Sequence, residues 1–133
     1  MAVRIEVRFR DGIEDAAGNS VRAAVESDLG IALLEVRVIE AYAIDAAIEA
    51  AQVERVAAEI FTDPLTQEHA VGGFRGLSFG WAVEVGFLPG VTDNVGSTSR
   101  TAIQDLLGIA LEPGEKVYSA RGFLLDGLVG AAE

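Results

Sequence analysis

The stretch Ile5–Ile31, IEVRFRDGIEDAAGNSVRAAVESDLGI, decides the fold, because Val83–Ile109 returns it without a gap as VEVGFLPGVTDNVGSTSRTAIQDLLGI. Gly12/Gly90, Asp15/Asp93, Gly18/Gly96, Arg22/Arg100 and Gly30/Gly108 are each 78 positions apart. The apolar positions change conservatively, as at Ile5/Val83, Ile13/Val91 and Val25/Ile103. Such a repeat predicts one supersecondary unit encoded twice, so the nature of one unit sets the fold.

In the first copy, Val3, Ile5, Val7 and Phe9 alternate with Arg4, Glu6, Arg8 and Arg10, the pattern of a half-buried strand. Asp11-Gly12 is a turn signal. Asp15 has the chemistry of a helix N-cap, accepting an N–H near Gly18. Val21, Ala24, Val25 and Leu29 follow at helical spacing, and Gly30 is placed to end the helix in a left-handed conformation. Gly18 is a poor helix former in the first turn, which predicts close contact of helix and sheet. Leu33–Ile44 reads as one strand, or two with a bend near Glu40-Ala41. A second helix is expected within about Asp45–Phe61, with Val53, Val56, Ala57 and Ile60 on one face. Thr62-Asp63-Pro64 stops it, and Gln67–Val71 is a candidate short strand.

Gly72–Gly80, GGFRGLSFG, reads as the connection between units at 1–71 and 81–133. The second unit repeats the order: strand Trp81–Leu88, turn Pro89-Gly90, and a helix capped by Asp93. That helix bears Val95, Ala102, Ile103, Leu106 and Leu107, and Gly108 ends it. Glu112-Pro113-Gly114 turns into a strand Lys116–Leu125. No second helix follows in Asp126–Glu133, so the natural chain is expected to continue. One unit alone leaves an open sheet edge and a bare face. Two units can pair their sheets and place the helices on one side. The predicted fold is α+β, with ferredoxin-like layers and pseudo-twofold symmetry, like a homodimer made covalent.

The 133 residues are 50% hydrophobic and 23% charged, a globular composition with a net charge of −11. An acidic surface repels phosphate backbones and anionic lipid, and no basic run offsets it, so neither nucleic acid nor membrane is an expected partner. The chain has no cysteine, which excludes a disulfide framework, a thiolate metal site and a cysteine nucleophile. Its apolar runs are shorter than a membrane span, the first strand starts near Val3 with no signal peptide ahead of it, and a cytoplasmic location is expected.

His69 is the only histidine and reads as a surface residue rather than a catalyst or ligand. The carboxylates are scattered along helix faces and turns, not grouped for a metal. Gly12–Gly18 and Gly90–Gly96 lack the Gly-Lys-Ser/Thr ending of a phosphate loop and the dinucleotide spacing, which leaves helix punctuation. Arg22 and Arg100, one turn into their helices, predict a buried or interface ion pair, with anion binding as the second reading. Trp81 stands where the first unit has Val3, and either fills core at the junction or anchors a partner. No catalytic, cofactor-binding or metal-binding residue follows from the residues alone. Trp81, Arg22 and Arg100 are the candidate interface residues.

Val83–Gly108 resembles the start of the PurS-type domain of phosphoribosylformylglycinamidine synthase, most specifically in Pro89-Gly90-Val91-Thr92-Asp93, Gly96 and the Leu107-Gly108 ending. The first copy, with Phe61–Val71 (FTDPLTQEHAV) behind its second helix, is similar to the N-terminal copy in fused forms of that enzyme, and departs from the pattern at Asp11 and Glu14. The resemblance implies a place in purine biosynthesis. That ligase converts formylglycinamide ribonucleotide, glutamine and ATP to the amidine, ADP, phosphate and glutamate. In multi-subunit versions a small PurS dimer bridges synthetase and glutaminase subunits; in fused versions two PurS-like units form the N-terminal domain. ATP, Mg and glutamine would bind other domains. The implied role is a non-catalytic scaffold that helps seat the glutaminase and guide ammonia transfer, inactive alone. Its partners would be synthetase and glutaminase domains or subunits, with homo-oligomerisation open. The alternative is a ferredoxin-like sensor holding a small ligand between its units. A free-standing dimeric enzyme is disfavoured, because acid–base residues do not cluster.

Overall fold

Polar–apolar alternation in Val3–Phe9 (β1) gives that strand one face for a helix layer and one for water. Residues 2–75, 79–87 and 91–127 are described in the structure, a computed structural model. After β1 come a helix Ala16–Leu29 (α1), a strand Leu33–Asp45 (β2), a helix Ala50–Val56 (α2) and a strand Gln67–Val71 (β3). A strand Trp81–Gly86 (β4), a helix Asn94–Leu107 (α3) and a strand Lys116–Gly127 (β5) complete the described elements. The strands form one antiparallel sheet in the order β3-β1-β2-β5-β4. The architecture is α+β and compatible with ferredoxin-like layering.

Of the two readings of Leu33–Ile44, the single strand is the one found: β2 runs through Glu40-Ala41, where β5 pairs with it at Glu40↔Arg121 and Ala41↔Ala120. The register shifts between Leu33 and Glu35. Asp45 ends β2, and the second helix lies within Asp45–Phe61 as expected. The helix begins at Ala50, behind a Glu49 amide that donates to Gln52 Oε1 (2.9 Å), and widens into a π-helical turn over Ala57–Phe61. Thr62 Oγ donates to Ala57 O (2.7 Å) at its end. Val95 is exposed, outside the buried stripe of Gly96, Ser99 and Ile103. Leu88, Pro89 and Gly90 lie outside the described residues, as does the tail after Gly127.

The core sits where α2 and α3 meet the sheet. Ile5, Val7 and Ile44 from the strands meet Val53 and Val56 from α2, Ile103 from α3 and Val117 from β5. Burying one such side chain is worth roughly 1.5–3 kcal/mol. Tyr42 stacks on Phe61 with ring centroids 4.0 Å apart.

The opposite face carries Arg4, Glu6 and Arg8. Arg4 reaches Glu84 with both terminal nitrogens (3.1 and 2.9 Å), although β2 and β5 lie between β1 and β4. Three strand spacings are about 14 Å, so the two side chains must extend across the intervening strands. Small residues there, Ala41 and Ala120, leave the room, and Ala41 is only 2% exposed.

Candidate functional site

The starts of α1 and α3 are both built from the same parts. Asp15 Oδ1 accepts the Gly18 amide (2.8 Å), and Oδ2 accepts the amide of Val38 in β2 (2.8 Å). Asp93 Oδ1 accepts the Gly96 amide (2.8 Å), and Oδ2 accepts the amide of Ser119 in β5 (2.6 Å). Each aspartate therefore caps its helix and also ties it to a strand. Asp93 gains a third bond, from Ser119 Oγ (2.7 Å). Gly18 and Gly96 are needed for the closeness this produces: a Cβ on either would collide with a strand carbonyl oxygen, that of Val36 or Val117. Gly30 and Gly108 end the helices with φ of 68° and 65°.

Among the described residues, the two repeated arginines do not form the expected ion pair. Arg22 Nε donates to Leu33 O (2.7 Å). Arg100 donates to Glu115 O (2.7 Å), Glu112 O (2.9 Å) and Leu111 O (3.2 Å). A guanidinium carries several donors in a fixed fork, which suits a loop presenting several carbonyls. The longer connection after α3 supplies more of them than the short one after α1.

A cavity of about 870 Å³ opens beside the start of α3, lined among others by Arg4, Glu84, Asp93, Arg100, Lys116 and Tyr118. A smaller hollow of about 250 Å³ lies at the start of α1, lined by Gly12, Asp15, Arg8, Arg10 and Arg37 among others. Of the sequence-predicted positions, Asp93, Gly96 and Arg100 meet at the first hollow, and Gly12 and Asp15 at the second. Gly12 takes φ of 86° in its turn. Among the described residues, Arg22, Gly30, Gly108 and Trp81 line neither. Trp81 is 40% exposed at the start of β4. His69, on β3, has its Nε2 3.1 Å from Oε2 of Glu54 on α2, and lines neither.

Arg4, Glu84, Asp93 and Arg100 at the larger cavity are each held by hydrogen bonds within the structure. Burial works to raise the Asp93 pKa, but the Ser119 hydroxyl and the Gly96 and Ser119 amides outweigh it and hold the carboxyl below the usual carboxylate range. A base poised near neutrality needs the opposite shift. Hydrogen bonding to Glu84 raises the Arg4 pKa against the cost of burial, with Glu6 adding to it, which fixes that guanidinium as a cation. Among the described residues no group of three or more His, Asp or Glu could hold a metal ion, and no helix is long and apolar enough to cross a membrane.

Two sets of partners were not read from the sequence. Glu6 and Glu84 recur 78 positions apart, which was a readable signal, and Arg4 joins them. Ser119 carried no signal, since only the folded strand brings it to Asp93. Comparison with known proteins finds no matching family model, curated sequence or solved structure.

Proposed function

We propose that this chain is an internally duplicated, non-catalytic interaction domain of the PurS type from phosphoribosylformylglycinamidine synthase. In this reading 1–71 and 81–133 are two PurS-like units, 72–80 connects them, and a pseudo-twofold axis passes through the β2–β5 seam. The observation that carries it is the doubled helix start: two aspartates 78 positions apart, each holding a glycine amide and a strand amide. The strand partners, Val38 and Ser119, are 81 positions apart, so the second unit is three residues longer after its helix. The same shift relates Ile5↔Tyr42 to Val83↔Phe123, and Val7↔Glu40 to Val85↔Arg121.

The domain would act by contact, seating a glutaminase against an ATP-dependent synthetase so that ammonia passes between them. The test is reconstitution of amidine synthesis from synthetase and glutaminase, with and without residues 1–133. Omission should lower the glutamine-driven rate more than the rate driven by added ammonia, because free ammonia reaches the synthetase from solution. An equal fall in both rates would make the domain a support of the synthetase itself. No fall in either would remove the scaffold role. The purified chain should show only background glutamine hydrolysis and ATP turnover. A second reading, a small-ligand sensor, is favoured by the 870 Å³ cavity, which is large enough for a metabolite.

A further inference from the structure

We infer that the helix-side face of β4, together with the neighbouring side of α1, is a docking groove for a partner polypeptide that supplies an amphipathic helix leading into a strand. The inference rests on the duplication in the proposed reading and not on its assignment to an amidoligase. Ile5, Val7 and Ile44 of the first half, with Val117 and Ile103 of the second, are all buried in one cluster with Val53 and Val56 of α2. Their counterparts are Val83, Val85, Leu125, Val36 and Val25, apolar at every place. Val36 is buried and Val25 and Leu125 half-buried, but Val83 and Val85 are 48% and 58% exposed. Leu29, the counterpart of Leu107, is 65% exposed, whereas Leu107 packs against the core.

The edge tells the same story. The outer side of β1 takes β3, with Ile5↔Val71 through Phe9↔Gln67. Among the described residues, β4 pairs with β5 and has no strand on its other side. An open edge beside an apolar face is the arrangement that accepts an added strand.

Charge narrows the occupant. Asp28 stands where α3 has Leu106, a residue packed against the core, and Glu26 is exposed nearby in the chain on a molecule of net charge −11, while the one cation facing Val85 across the ladder, Arg121, is held by Glu40. The partner helix should therefore carry apolar residues at the spacing of Val53, Val56, Ala57 and Ile60, with a lysine or arginine to meet Asp28.

The probes are two synthetic peptides: one copying residues 46–71, and one the same with Glu54 and Glu59 replaced by lysine. Trp81, the sole tryptophan, begins β4 and reports on the groove through its emission. Both peptides should give a saturable blue shift, with the lysine peptide binding more tightly and more salt-sensitively. Val85→Asp should weaken binding about tenfold or more, because it would bury a carboxylate whose facing cation, Arg121, is already held by Glu40. Leu29→Asp on α1 should do the same and stands in for it if Val85→Asp does not fold by circular dichroism. No shift for either peptide up to about 1 mM would overturn the inference. So would binding that neither substitution weakens, or a dimer by sedimentation that Val85→Asp dissolves, which would assign the face to a second copy.

Discussion

β1 and β4 carry nearly the same apolar pattern, yet one is interior and the other is surface. Ile5 and Val7 are 0% and 1% exposed; Val83 and Val85, at the same places in the repeat, are 48% and 58% exposed. The difference is not in the strands. It lies in the chain beyond the second strand of each half: α2 and β3 come after β2, and no counterpart comes after β5 among the described residues. Alternation in a sequence thus records which face is suited to burial, and a separate piece of chain decides whether burial happens.

The most direct way to break this contrast is truncation at matched positions. Ile5→Ala should cost about 2–5 kcal/mol in urea denaturation, as for other core isoleucines. Val83→Ala should change stability by no more than about 0.5 kcal/mol. Comparable losses at the two sites would mean that β4 is covered in solution.

Where the halves agree, equal losses are expected. Gly18→Ala and Gly96→Ala each push a methyl into a strand carbonyl, of Val36 or Val117, and should each cost about 1–3 kcal/mol. A large loss at one and none at the other would show that the two helix–strand contacts are not equivalent.

The capping aspartates sharpen the comparison further. Asp15→Ala and Asp93→Ala should each cost about 0.5–2 kcal/mol, with Asp93 the larger because it alone also binds Ser119 Oγ. Asp93 titrates below its unfolded value of about 3.9, so its contribution is present above that pH and is lost as pH falls through the lower folded pKa. Urea midpoints compared at about pH 6 and about pH 3 should fall less in Asp93→Asn than in the parent chain.

The smallest effect is expected at Glu40→Gln. The Glu40–Arg121 pair (2.9 Å) is partly exposed, and its loss should cost at most about 1 kcal/mol, less at high salt.

The sequence made the helix starts and stops legible because their chemistry is local: an aspartate cap, a glycine in left-handed conformation, a glycine without room for a side chain. The strands were legible from alternation, though their ends moved by a residue or two. The helix within Asp45–Phe61 was legible, but its π-helical end was not, since no residue type marks that widening. Long-range partners stayed hidden. Arg22 and Arg100 looked like halves of ion pairs because a charge suggests a countercharge. Their real partners are backbone carbonyls, which every residue has and which only the fold selects. The Arg4–Glu84 link crosses two intervening strands, so only the strand order brings the pair together.

Glu40 and Arg121 face each other directly in the β2–β5 register. Two copies of the first half joined along β2 in that register would set Glu40 against Glu40, and two copies of the second would set Arg121 against Arg121. Like charges directly opposite on a sheet repel. Two identical subunits must meet themselves at such a point, whereas one covalent chain can place opposite signs there. Separately expressed halves should therefore assemble one-to-one with each other rather than each with itself, and the intact chain gains little by exchanging halves with a neighbour.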